Sequence, residues 1–276
     1  MRSKMFKFAL AILVAYLILC AGAFWFQRKL IFLPTKGAIP EPGAFGITAA
    51  KVTVPVSKEV RLCAWWASEG DSPYTLIWCH GNAGNIMHRA EEFQDFVKAG
   101  LNMVLFDYRG YGESTGTPSA EGVKEDALAV YDYLVAQGVN PKHIVPYGRS
   151  IGSGPASFLA NERGTAALIL VQPITSMLNM GRTAYPFLPV KLLLREKLDN
   201  ETELERYQGP LLILHGDEDD IVPYAMGRRL LEVSASEKKL LVTLEGGDHN
   251  NIGYTHGTLI VKTVREWLDG LGPAEE

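Results

Sequence analysis

Six short apolar runs, separated by segments of helical periodicity, constrain the fold of this chain more than any other feature. They cover residues 75–79, 103–106, 144–147, 166–171, 211–214 and 240–244. Unbroken rather than alternating hydrophobicity is what a strand covered on both faces requires. Between the runs, Ala120, Val123, Ala127, Val130, Tyr131 and Leu134 recur at helical spacing, and Leu259, Val261, Val264, Trp267 and Leu268 do so less regularly. Strand–helix units on short connections predict a mostly parallel sheet flanked by helices. Upstream, residues 51–56 and 60–65 read as an antiparallel pair. No repeat or low-complexity tract interrupts the pattern, and 276 residues suffice for one such domain. A net charge of −4 supplies no broad cationic field, which excludes nucleic acid as a partner.

The amino terminus follows a different rule. Residues 8–26 carry no charge, and as a helix they extend about 29 Å, enough to cross a bilayer's hydrocarbon core. No polar face exists, so a buried core helix does not explain them. Arg2, Lys4 and Lys7 precede the segment, while Arg28 and Lys29 follow it. The expected organisation is a basic flank (1–7), a transmembrane signal anchor (8–26), a Pro/Gly-rich linker (27–44) and one folded domain (45–271), with a ragged Pro-Ala-Glu-Glu tail. Cleavage after Ala21-Gly22-Ala23 is the rival, disfavoured because the apolar run exceeds a signal-peptide core and continues through Trp25 and Phe26. A lipoprotein signal is excluded by the bulky Leu19 before Cys20. With the basic end in the cytosol, the domain lies outside, in the periplasm if the membrane is a bacterial inner membrane. Cys63 and Cys79 are permitted to pair in such a compartment, but both read as strand residues and are expected as buried free thiols. The cysteines show no metal-ligand spacing, so no metal is expected.

The pattern G-x-S-x-G occurs twice, at Gly112-Glu113-Ser114-Thr115-Gly116 and at Gly148-Arg149-Ser150-Ile151-Gly152. A nucleophilic serine needs a sharp strand-to-helix turn with small flanking residues. Ser150 follows an apolar run directly and leads into a plausible helix. Ser114 follows a loop and is trailed by Thr117-Pro118, so Ser150 is the expected nucleophile. Pro146 sits awkwardly in the strand before it, where a missing N–H normally breaks the ladder.

A serine hydroxyl needs a base, and the base an anion to orient it. His215, His249 and His256 lie downstream. His249, in the polar loop 245–251 after the last strand, is the expected base; His215 ends a strand and more plausibly fixes the loop after it. Asp217, Asp219 and Asp220 cluster at that strand's carboxyl end, where catalytic groups gather on open parallel sheets. Composition does not separate the three. The N–H groups of Ile151, next to the nucleophile, and of Asn82, in the loop 80–85 after the third strand, are the expected oxyanion hole.

With these residues in place the chain resembles the α/β-hydrolase superfamily. It is most similar to the membrane-anchored branch of abhydrolase-domain proteins and bacterial serine-aminopeptidase-like hydrolases. The resemblance runs from residue 25 to about 268. It is carried by the segments 27–32, 80–85, 106–112, the Ser150 turn, His215-Gly216-Asp217-Glu218-Asp219, Val222-Pro223 and Gly247-Asp248-His249-Asn250. It implies an α/β-hydrolase fold of about eight strands and places the acid on Asp219. Asp248 departs from the small residue more usual there. The implied chemistry is a cofactor-free acyl-enzyme mechanism on Ser150, His249 and Asp219. The expected protein is a membrane-anchored serine hydrolase of carboxylic esters or thioesters, with a small-molecule or lipid acyl substrate and no obligate protein partner. A peptidase or amidase of the serine-aminopeptidase type is the alternative, and a non-catalytic tethered binding module a weaker one. The segment 173–207 is where a cap is expected. Its Met177, Leu178, Met180, Tyr185, Phe187, Leu188, Leu192 and Leu193 either line an acyl groove or pack a cap helix on the sheet.

Overall fold

The computed structural model describes residues 2–272; Met1 and the tail at 273–276 lie outside the described residues. Eight strands among them form one sheet: β1 (Ala50–Pro55), β2 (Arg61–Ala67), β3 (Thr75–Cys79), β4 (Asn102–Phe106), β5 (Ile144–Arg149), β6 (Leu168–Val171), β7 (Leu211–Gly216) and β8 (Lys239–Leu244). Their spatial order is β1-β2-β4-β3-β5-β6-β7-β8. Only β2 runs against the others, pairing antiparallel with β1 and with β4. Each apolar run is thus a strand, with ends that differ from the sequence reading by at most two residues.

Alternate residues divide between two cores. Leu76, Trp78, Met103 and Leu105 face one side, Ile77, Cys79, Val104 and Phe106 the other, as a period of two demands. The first core is closed by α2 (Ala90–Lys98) and α9 (Gly257–Asp269), through Phe93, Phe96, Ile260 and Val264. The second is closed by α3 (Ala120–Ala136), α4 (Ser153–Arg163), α7 (Asn200–Arg206) and α8 (Tyr224–Val233). This is the α/β-hydrolase fold expected from the sequence. The order of the strands reverses about β3, so β3 and β5 flank the crevice where open α/β sheets bind ligands.

Pro146 fits because of where β6 begins. The β5–β6 ladder starts at Tyr147, opposite Ile169, so the missing N–H interrupts no rung on that side. Cys63 and Cys79 are buried free thiols on β2 and β3. Since β4 lies between those strands, they stand about 10 Å apart, beyond the roughly 7 Å reach of a disulfide. Burial pushes the Cys63 thiol up to about 12 and the Cys79 thiol higher still, which leaves both protonated and inert.

The apolar segment 8–26 lies within a single helix, α1 (Arg2–Ile31), long and apolar enough by length and composition to cross a membrane. Nearly all of it is exposed; Cys20 is its one buried residue among those described. The helix continues five residues past 26, and the connector after it is bonded to the domain. Leu33 and Pro34 pair with Ala83 and Gly84, the Thr35 N–H donates to Gly84 O (2.9 Å), and Ile39 and Ile47 are buried. The linker expected at 27–44 is therefore a strap that fixes α1 to the domain.

Candidate active site

β5 ends in the turn the chemistry needs. Ser150 has φ +54°, one of two non-glycine residues with positive φ among those described, and α4 follows at once. That left-handed conformation is strained for a residue with a Cβ and lifts the side chain clear of the sheet. Its flanking glycines leave no alternative. A Cβ on Gly148 would lie 2.7 Å from the Cβ of Ala156, and one on Gly152 would collide with the carbonyl oxygens of Cys79 and His80. Gly152 itself has an ordinary helical φ of −64°, so the need there is purely steric. Gly152→Ala is expected to cost at least about 1–3 kcal/mol and, by displacing the loop that carries Asn82, to depress activity further. Thermal unfolding beside fluorophosphonate labelling checks both effects.

The structure brings together all three side chains that the sequence singled out. His249 Nε2 lies 3.1 Å from Ser150 Oγ, and His249 Nδ1 lies 2.7 Å from Asp219 Oδ2. An ionised carboxylate only accepts, so Nδ1 carries the ring proton and Nε2 is free to accept from the serine. Asp219 is held on every side. Its Oδ1 accepts the N–H groups of Ile221 (3.0 Å) and Val222 (2.7 Å), and His215 Nε2 stands 3.5 Å from its Oδ2. Burial would raise its pKa, but hydrogen bonds from His215, His249 and Val222 outweigh that and keep it well below the usual carboxylate range. His215 Nε2 also contacts Val222 O at 2.9 Å, so this histidine fixes the acid's loop, as expected. Asp217 instead caps Gly246 (2.7 Å).

The loop 80–85, expected to supply an oxyanion N–H, is braced by the segment 106–112, whose bracing role was not legible from the sequence. Tyr108 Oη donates to His80 O (3.0 Å) and Tyr111 Oη to Asn82 O (2.7 Å). The Gly81 carbonyl is taken up by His80 Nδ1 (2.7 Å) and, at longer range, by Arg89 Nη2 (3.5 Å). Because N–H and C=O point oppositely across a trans peptide, that arrangement turns the Asn82 N–H away from them. Asn82, Ile151 and Ser150 line one cavity. Ser114, the rejected nucleophile, is buried; it accepts from the Cys63 N–H (2.9 Å) and donates to Asp107 O (2.7 Å).

Further residues position the loops that carry Ser150 and His249. Arg149 pairs with Glu92 (2.7 Å) and reaches the His249 carbonyl (3.4 Å), while Gln172 Nε2 donates to Asp248 O (2.9 Å). Asp248 accepts the N–H groups of Asn250 and Asn251 (both 2.8 Å), which explains an acid where a small residue is more usual. The contacts of Arg149 and Gln172 carry no sequence periodicity or motif spacing that would have revealed them, whereas the Asp248 bonds are a local Asx turn.

Asp107, beneath the oxyanion loop, is pushed up to about 7 by burial, against the pull of the Ile86 N–H and of Arg89. Asp126 is raised to about 6, again by burial first. Both carboxyls keep their proton in the folded state where the unfolded chain has lost it, so their protonated forms favour folding at low pH. That contribution falls away as pH rises from about 4 through about 7. Asp107→Asn is expected to flatten the decline in stability between pH 5 and pH 8, by an amount on the order of a few kcal/mol. Denaturant titrations across that range measure it; an unchanged slope would show that Asp107 is ionised in the fold.

The described residues offer no cluster of ligating side chains suited to a metal ion. The cavity at Ser150 measures about 410 Å³. Its walls come from the cap, α5 (Met177–Ala184) and α6 (Val190–Leu193), and from α1. Of the cap's apolar residues, Met177, Met180, Tyr185, Leu188 and Leu193 line it, whereas Phe187 and Leu192 face outward.

A family model described as the alpha/beta hydrolase fold matches residues 74–203. An uncharacterised protein of Mycobacterium tuberculosis is 34% identical over 94% of this chain and 95% of its own length. The lysophosphatidylserine lipase ABHD12 of Macaca fascicularis is 31% identical over 97% of this chain and 79% of its own length. The chain belongs to the α/β-hydrolase family. Among solved structures, the Pyrococcus furiosus esterase Pf2001 superposes on this hydrolase with a TM-score of 0.71. It covers 87% of this chain and 97% of the esterase at 18% identity, a likeness of fold.

Proposed function

We propose that this hydrolase is a membrane-anchored serine esterase of lipid-like acyl substrates, carboxylic esters or thioesters. The observation that carries the reading is the unbroken chain Ser150–His249–Asp219, opening into a largely apolar cavity. The relative ABHD12, matched along nearly the whole chain, is named for a lipid-ester activity, which supports the substrate class.

In this reading Ser150 Oγ attacks the acyl carbonyl as His249 Nε2 takes its proton, and Asp219 stabilises the imidazolium formed. The oxyanion is received by the N–H groups of Asn82 and Ile151. His249 then protonates the departing alcohol or thiol. Water attacks the acyl-Ser150 ester, giving its proton to His249, and His249 returns a proton to Ser150 as the acid leaves. No metal or organic cofactor enters. The helix α1 is a single-pass anchor, and residues 45–271 are the catalytic domain on the periplasmic side of a bacterial inner membrane. Nitrophenyl esters of increasing chain length, set beside aminoacyl amides, test the substrate class. Turnover of the amides alone would replace esterase by amidase. Proteolysis of the domain in intact spheroplasts tests its orientation, and full protection there would reverse it.

A further inference from the structure

The end of α1 does more than lead into the domain. Ala23, Gln27, Leu30 and Ile31 share one helix face, at the spacing i, i+4, i+7, i+8, and all four line the cavity that holds Ser150. Gln27 fastens the cap to this face. Its Oε1 accepts the N–H groups of Arg195 (2.7 Å) and Glu196 (3.2 Å), and its Nε2 donates to Leu193 O (3.1 Å). Arg28 pairs with Glu196 (2.6 Å), whose other oxygen accepts the N–H of Ala120 at the start of α3 (2.7 Å). The contact extends well up the helix. Tyr16 Oη donates to Phe187 O at 2.9 Å. Tyr16 lies eleven residues before Gln27, about 16 Å along the axis, inside the uncharged stretch 8–26. Around Phe187 the cap presents Tyr185, Phe187 and Leu192 at 41%, 59% and 81% exposure, and α1 itself exposes Trp25, Phe26 and Leu30. Large apolar side chains grouped in this way mark a surface that water does not cover.

We propose that α1 and the cap together form an acyl-chain pocket whose mouth is sunk in the bilayer, so that a single-chain acyl lipid enters sideways from the leaflet. The proposal rests on the esterase reading and extends it. A helix that spans a membrane carries with it whatever is bonded at its mid-height. Here that is the turn 185–188, which places the rim of the cavity among lipid chains. The cavity lies toward the small end of the range of about 300–1,000 Å³ typical of ligand sites, which suits one chain better than two. The α1 wall at Ala23 then acts as a ruler for the far end of that chain.

Full-length protein in phosphatidylcholine vesicles provides the test, with two substrates: soluble nitrophenyl butyrate and monooleoylglycerol dissolved in the bilayer. Ala23→Phe, which fills the α1 wall, is expected to lower kcat/KM for monooleoylglycerol by at least about tenfold while butyrate turnover persists. Ile18→Phe, at an exposed site on the same helix, changes neither. Leu192→Asp at the rim is expected to lower turnover of the bilayer substrate and to spare the butyrate ester. Persisting butyrate turnover and fluorophosphonate labelling show that each variant is folded. If Ala23→Phe and Leu192→Asp treat both substrates alike, the pocket proposal is overturned and the esterase reading survives. If the unaltered protein hydrolyses neither ester, the esterase reading fails and the proposal with it.

Discussion

Ser150→Ala is expected to lower ester turnover by about 10⁶-fold and to abolish fluorophosphonate labelling. Nucleophile, base and acid in such a relay act as a unit, so removing the first removes the benefit of the others, and what remains is binding plus the oxyanion hole. For the same reason Ser150→Ala combined with His249→Ala should be scarcely slower than either alone. The substitution deletes one part-buried hydroxyl from a strained position, and its cost to folding is expected to be small. Ser114→Ala provides the contrast. It removes a hydroxyl that bridges the Cys63 N–H and the Asp107 carbonyl, 2.9 and 2.7 Å away, so it is expected to lose stability rather than labelling. Steady-state kinetics with nitrophenyl esters and gel labelling decide the matter; a Ser150→Ala protein within tenfold of the parent would end the serine-hydrolase reading.

Asp219→Asn is expected to lower kcat by about 10⁴-fold with little change in overall structure. The carboxylate accepts from His249 Nδ1 at 2.7 Å, which leaves Nε2 unprotonated toward Ser150. The asparagine oxygen can keep the N–H bonds of Ile221 and Val222, but it then turns its NH₂ toward the imidazole. Donor facing donor forces the other tautomer, in which Nε2 bears the proton and cannot take one from the serine. The imidazolium formed during attack also loses its counter-charge. A proton-detected spectrum of the ring, read beside kcat, separates this cause from collapse of the loop. Retained Nδ1–H in an inactive Asp219→Asn protein would mean that the acid acts through packing instead.

The three side chains that meet in the candidate site were legible because each sits beyond the end of a strand, and strands buried on both faces announce themselves as apolar runs. Ser150, Asp219 and His249 follow β5, β7 and β8, and Asn82 follows β3, so locating the runs located the carboxyl edge of the sheet. The choice of Ser150 over Ser114 was legible for the same reason, since only one of the two directly follows such a run. Choosing among the three aspartates was not a matter of composition; it required the family resemblance, and in the structure it is the Asp219 carboxylate that meets the imidazole. The braces on the site are of another kind. Tyr108 and Tyr111 on the oxyanion loop, Arg149 on the His249 carbonyl and Gln172 on that of Asp248 are side-chain-to-backbone bonds between segments distant in sequence. No local pattern encodes such a bond.

What the sequence by itself determined was which segments are buried and where the chain must turn, because hydrophobic periodicity and glycine sterics act over a few residues. The place of α1 was decided only by the tertiary structure. Taken alone, residues 8–26 are a span of lipid-compatible helix joined to a domain by a Pro/Gly-rich stretch. Once folded, the Gln27 amide, the Arg28–Glu196 pair and the strap on Ala83–Gly84 bind the helix's lower end to the cap and to the oxyanion loop. The physical reason is the length of chain between the partners. Gln27 and Leu193 are 166 residues apart in the chain, with six of the eight strands between them, and nothing in either segment's own composition anticipates the other.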